Sequence, residues 1–357
     1  MDVDGSAIAT SVFYFLNATV LIAMIISGVF WMARLLRRFK SSQPTKALVP
    51  LESRSYPTWT LAAFLVMFGS QLVAVVILMN VFRYLGYTPD FGNAESPAGT
   101  VSLGLLVANA LAGLIAMAVT IIWLSSESKP STFGLAWNPK DVWVGLKASV
   151  WFIPPVMIVS AAASKLIPYE HPVLDKLAEN AGPMTFVVLF VGTAVVAPLV
   201  EEFMFRVLLQ SGLQKFFDGP LVDQDKEPST SDSMEASEPK SWIGDAYRPP
   251  EQQSQQYGDT PIPQAEPVRW QDMFVRQPGR IWMPRSFWSI VLTSVVFAAM
   301  HIGQGAAFIP LFFLSLGLGY LYQRTGRITA SLVVHVVLNA LTMCVEFSRI
   351  GAGIPSV

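Results

Sequence analysis

Long apolar runs bounded by charged residues set what this chain can fold into: about 7–33, 57–82, 101–124, 143–164, 184–213, 286–304, 306–323 and 328–347. A helix needs roughly 20 apolar residues to cross a hydrocarbon core of ~30 Å. Lipid offers no partner to a free backbone amide, so each run is expected to be helical. The pattern predicts an all-α, polytopic membrane bundle of about eight transmembrane helices. Pro154 and Pro155 interrupt the fourth run, where a kink is expected instead of a break. The first run follows Asp2 and Asp4, not basic residues, and is too long for a signal h-region, so it is read as a retained span.

Composition narrows the class further. Of 357 residues, 52% are hydrophobic and 14% charged, which an ordinary soluble domain does not show. The net charge of −1 gives no footing for a nucleic-acid partner. Cys344 has no second cysteine to pair with. Lysines and arginines in the short connections set the orientation. Arg34, Arg37, Arg38, Lys40, Lys46, Arg54, Lys129, Lys140, Arg324 and Arg327 fall on one side, against Arg83, Lys165, Lys176 and Arg349 on the other. That places both termini outside and the 218–285 loop in the cytoplasm, in a plasma or inner membrane. Residues 218–266 are rich in Pro, Ser, Gln, Asp and Glu and are expected to form a disordered insertion. The 269–285 stretch, with Trp270, Phe274 and Trp282 among arginines, suits the membrane interface. Neither an internal repeat nor a Gly-rich phosphate loop is present.

Ionisable groups inside membrane spans are costly and mark function. They concentrate in three places. The fifth run carries Glu201, Glu202 and Arg206, the sixth His301, and the eighth His335 and Asn339. Glu202 and Arg206 stand four residues apart with the acid first, the favourable order for an ion pair. Glu201 is rotated by about 100° from Glu202 and has Phe205, not a cation, one turn on. A desolvated carboxylate without a partner is the better general base. His335 and Asn339 share a helix face, where two donors can stabilise an oxyanion. His301 can assist a water beside Glu201. Each element alone also reads as interhelical glue or a structural ion pair. His171 lies in a connection and is given no role.

The strings Glu201-Glu202-Phe203-Met204-Phe205-Arg206, Phe297-Ala298-Ala299-Met300-His301 and His335-Val336-Val337-Leu338-Asn339 resemble, in order and spacing, three motifs of the CPBP intramembrane proteases. This family, also called ABI, includes CAAX prenyl endopeptidases and bacterial proteins linked to bacteriocin self-immunity and peptide processing. The 316–326 stretch is similar to the family as well. The resemblance covers about 184–347 without the insertion, and implies a protease domain over 131–357 preceded by a three-helix membrane region over 1–130. It also implies that Glu201 activates water, His301 assists, and His335 with Asn339 forms the oxyanion hole.

Members are often labelled metalloproteases, and Glu201, His301 and His335 would be the ligands of a divalent metal such as zinc. There is no His-Glu-x-x-His string, and a glutamate mechanism requires no cofactor. Two departures stand out: Val207 replaces a frequent glycine, and the insertion separates the first two motifs. The expected activity is hydrolysis of a peptide bond in a membrane-associated peptide or protein, with that substrate and the bilayer as partners. A proton-coupled transporter and an inactive peptide-binding scaffold remain as rivals.

Overall fold

The computed structural model describes residues 3–40, 47–86, 103–126, 130–167, 182–218 and 281–355. Among them eight helices stand where the apolar runs lie: α1 Val3–Lys40, α2 Leu61–Tyr84, α3 Leu103–Ser125, α4 Pro139–Ala163, α5 Pro183–Asp218, α6 Trp288–Ala299, α7 Phe308–Thr325 and α8 Thr329–Gly351. Six of them, all but α6 and α7, are long and apolar enough to cross a membrane. The chain is thus a helical polytopic membrane protein. Two short strands, β1 Arg54–Ser55 and β2 Ile281–Trp282, pair antiparallel at one end of the bundle.

Local chemistry explains several boundaries. The Thr60 side chain accepts the Ala62 amide at the start of α2, and Asn138 accepts the Lys140 amide ahead of Pro139 at the start of α4. The sixth run was expected to be helical through 304. The helix stops instead at Ala299, and the chain turns through 300–307, where Gly305 adopts φ +57°, a conformation open to glycine. His301 therefore sits in a turn, not on a helix. At ~1.5 Å per residue, α6 covers only about 18 Å, short of the ~30 Å of a hydrocarbon core.

Helix α4 runs unbroken through Pro154 and Pro155. Pro155 has no amide hydrogen for the Trp151 carbonyl one turn back. That carbonyl is taken by α1: Trp31 Nε1 donates to it at 2.9 Å and Ser27 Oγ at 3.4 Å. Phe30 stacks on the Trp151 ring, with centroids 4.9 Å apart. Helix α8 closes on the other side of α4, at Gly145, where a Cβ would lie 2.6 Å from Val333 Cβ and 2.8 Å from the Ala330 carbonyl.

Helix α5 is the axis of the core. Every residue from Glu202 to Gln210 is buried, and Phe203, Met204, Phe205 and Leu208 pack with Met67 of α2, Ala116 of α3 and Phe297 of α6. Over Val191–Val196 and Glu202–Gln210 the helix is wound wider than an α-helix, with the Ser211 amide donating five residues back to Arg206. Such widened turns are rare and cluster at functional sites. Val207, in the position singled out from the sequence, is buried, and its carbonyl accepts Trp59 Nε1 at 2.9 Å.

The insertion lies almost wholly outside the described residues, as does His171. Its two flanks are tied together, since Asp218 Oδ1 accepts the Arg285 and Ser286 amides at 3.1 and 2.7 Å. Trp282, expected at the membrane interface, is buried in the protein against Tyr56, with the Arg54 guanidinium 5.2 Å from its ring. Arg54 also donates to Gln214. At the same end Arg327 joins Asp141 and Glu52, and the Asp141 hydrogen bond holds the Arg327 guanidinium above its usual pKa.

The capture of the Trp151 carbonyl is open to a double-mutant cycle. Trp31→Phe should destabilise the protein by about 1 kcal/mol, the usual net value of one hydrogen bond. In a Pro155→Ala background, which restores an amide donor to that carbonyl, the same change should cost measurably less in thermal unfolding in detergent. Equal costs in both backgrounds would mean that the carbonyl does not depend on α1.

Candidate active site

The site forms where α5, α7, α8 and the α6–α7 turn meet. Glu202 and Arg206 pair on α5 as their spacing predicts, with Arg206 Nε 3.4 Å from Glu202 Oε2 and both side chains fully buried. Arg206 is also fixed from α7, donating through Nη2 to Ser315 Oγ at 3.0 Å. One turn on, Gln210 Nε2 donates to the Gly319 carbonyl at 2.9 Å, and a further turn on Gln214 Nε2 reaches Gln323 Oε1 at 3.5 Å. The residues advance by four on both helices, so α5 and α7 run parallel and in constant register.

His335 enters from α8 between the two glutamates. Its Nδ1 lies 3.2 Å from Glu202 Oε1, and its Nε2 lies 3.6 Å from Glu201 Oε2. An ionised carboxylate only accepts, so Nδ1 carries the hydrogen directed at Glu202. Nε2 is left facing Glu201 across a gap longer than a hydrogen bond. The two glutamates therefore differ in environment: Glu202 is sealed, whereas the Glu201 side chain is 25% exposed.

The Phe297 ring is the apolar wall between these groups. It lies 5.6 Å from the Arg206 guanidinium, 4.8 Å from the His301 ring and 6.0 Å from the His335 ring. His301 Nδ1 is 2.8 Å from the Phe297 carbonyl, and a carbonyl accepts, so Nδ1 donates and Nε2 keeps its lone pair. Asn339 is one turn beyond His335, and its Nδ2 donates to the Thr193 carbonyl of α5 at 2.9 Å. It also lines a cavity of about 400 Å³ with Thr193, Ser160, Ser164, Gln304 and Thr342.

The structure thus brings Glu201, Glu202, Arg206 and His335 into one cluster, with His301 across the Phe297 ring and Asn339 at the neighbouring cavity. Among the described residues, no three His, Cys, Asp or Glu side chains are grouped so as to hold a metal ion. Sequence reasoning missed Ser315 and the Thr193 carbonyl. A signal for Ser315 was present in the spacing of Ser315, Gly319 and Gln323, which matches Arg206, Gln210 and Gln214.

A helical membrane bundle with carboxylates and imidazole clustered in its core is compatible with an intramembrane hydrolase and with a proton-coupled transporter. Comparison with known proteins is more specific. A family model described as Rce1-like, type II CAAX prenyl endopeptidase, matches residues 263–341. The match bears out the resemblance to the CAAX-protease family drawn from the motifs. It spans His301, His335 and Asn339, while Glu201 and Glu202 lie before it. No curated protein and no solved structure matches the chain.

The sealed ion pair yields a stability test. Glu202→Gln leaves the buried Arg206 charge without its counter-ion, a change that costs about 3–5 kcal/mol in buried pairs. Glu201→Gln removes no ion-pair partner of Arg206 and should leave thermal unfolding in detergent nearly unchanged. Combining Glu202→Gln with Arg206→Met should recover part of the loss, because no unpaired ion remains. A Glu201→Gln protein less stable than Glu202→Gln would reverse the two assignments.

Proposed function

We propose that this protein is an intramembrane endopeptidase that hydrolyses a peptide bond of a membrane-associated substrate with water activated by Glu201. The observation that carries the proposal is the bracketing of His335, held by Glu202 through Nδ1 and presented to Glu201 through Nε2. Glu201, partly exposed, takes a proton from water, and the resulting hydroxide attacks the scissile carbonyl. His301 Nε2, an acceptor, helps to hold that water. Asn339 uses one amide hydrogen on Thr193 and has a second for the oxyanion. His335 Nε2 accepts the water-derived proton from Glu201 and then serves as the other donor. Collapse of the tetrahedral intermediate expels the amine, which takes that one proton back through Glu201. Glu202 and Arg206 touch no reacting atom and act by fixing His335.

No step of this mechanism calls on a metal. The proposed catalytic unit is 131–357, which contains every site side chain, with 1–130 as a supporting membrane region. The loop 218–285 faces the cytoplasm, an orientation supported by the basic residues Arg34, Arg54, Arg324 and Arg327. A prenylated C-terminal peptide, named in the family's description, is one substrate to test beside unmodified peptides.

Purified protein assayed in detergent against a quenched peptide library, with a prenylated arm, should show cleavage that Glu201→Gln lowers by ~100-fold or more. Proton uptake into liposomes without any cleavage would replace the protease reading with transport. Orientation is tested separately by protease added to membranes. The 218–285 loop should be cut in inverted vesicles and spared in right-side-out cells, and the opposite pattern would invert the topology.

A further inference from the structure

Helix α1 does more than supply donors to the Trp151 carbonyl. Its last turns carry Arg34 and Arg38 four residues apart, and both line a concavity of about 490 Å³ that also includes Gly28 and Trp31. Gly28 and Trp31 line a second and larger space as well, about 660 Å³ between α1, α4 and α7, walled by Trp151, Phe152 and Pro155. The two spaces meet on α1 at Gly28 and Trp31. One end of the combined groove is basic and the other apolar.

Most polar groups along the apolar part are already used. Ser27 Oγ and Trp31 Nε1 donate to the Trp151 carbonyl, and the Tyr320 hydroxyl accepts the Val49 amide at 3.3 Å. Apart from that hydroxyl's own hydrogen a peptide would find nothing there for its backbone, whereas a hydrocarbon chain needs nothing. From Gly28 to Arg38 the helix rises about 15 Å at ~1.5 Å per residue, half of a ~30 Å core. Arg38, and Arg34 about 6 Å below it, therefore lie toward headgroup level when the groove lies at acyl-chain level. Basic pockets beside transmembrane helices on the cytoplasmic side are suited to anionic headgroups.

We propose that this groove binds one anionic phospholipid, its phosphate on Arg34 and Arg38 and one acyl chain running past Gly28 and Trp31 into the space between α1, α4 and α7. The site shares no residue with the active site, and its test uses no proteolysis.

The experiment measures thermal unfolding and native mass spectra of the purified protein in detergent with added phosphatidylglycerol, phosphatidylcholine or inorganic phosphate. Phosphatidylglycerol should raise the unfolding temperature and give a one-lipid adduct, and the other two should do neither. Arg38→Gln should weaken phosphatidylglycerol binding about fivefold, the usual effect of one basic residue near a headgroup. Arg37→Gln, which alters a basic residue that does not line the groove, should change it little. Gly28→Leu should abolish the adduct while preserving the lipid-free unfolding temperature, because a Cβ at Gly28 meets nothing within 4 Å. An equal response to phosphatidylcholine would overturn the proposal, and so would an adduct that survives Gly28→Leu. Stabilisation by inorganic phosphate alone would show a free-anion site in place of a lipid site.

Discussion

The ion pair of Glu202 and Arg206 is the constraint around which the rest is arranged. Two unit charges removed from water cost several kcal/mol each, and their mutual attraction offsets this only when their remaining hydrogen-bonding groups are also met. Here partners come from other helices, Ser315 of α7 for guanidinium Nη2 and His335 of α8 for the carboxylate, while the buried Nη1 of Arg206 has none among the described residues. The pair therefore specifies which helices surround α5 and at what height. The same stripe continues along α5 as Gln210 and Gln214, each meeting α7 at the position the ion pair has set. A slip of α7 by one residue would break all three contacts together, so register and charge neutralisation are one requirement.

Chemistry in a low-dielectric interior also needs backbone that departs from regular helix. Three such departures surround the site. Wide winding in α5 accompanies a Thr193 carbonyl that receives Asn339 and a Val207 carbonyl that receives Trp59. The early end of α6 puts His301 in a turn beside the Phe297 ring. In α5 a side chain from elsewhere in the chain takes each carbonyl, and at the end of α6 His301 itself takes the Phe297 carbonyl. The same rule acts away from the site, where α1 takes the carbonyl left free by Pro155 in α4.

What the sequence disclosed and what it withheld divide along physical lines. Hydrophobic length is a local property, and each apolar run became a helix. The pairing of Glu202 with Arg206 is likewise set by four-residue spacing, and it holds in the folded chain. The end of α6 at Ala299 was hidden because Met300 and Ile302 continue the apolar composition, while the glycines at 303 and 305 sit beyond the actual break. The position of His335 between two carboxylates depends on how α8 is rotated against α5, which no single-helix pattern encodes. Asn339 shares a face with His335 as its spacing suggested, yet its amide meets a carbonyl that only the winding of α5 puts within reach.

The two halves of the site are far apart in sequence, with the glutamates before the chain that joins α5 to α6 and the histidines after it. The cost of closing a loop grows only logarithmically with its length, ~0.6 kcal/mol for each doubling, so a long connection is thermodynamically mild if its ends are fixed. Asp218 fixes them, because one carboxylate oxygen at the end of α5 receives both amides that open the approach to α6. β2 adds a second tether, pairing with β1 just before that point and burying Trp282 under Arg54. Through these ties the distance between Arg206 and Phe297 becomes independent of what lies between Asp218 and Ile281. A long connection is therefore compatible with the close approach of Arg206 and Phe297 across it.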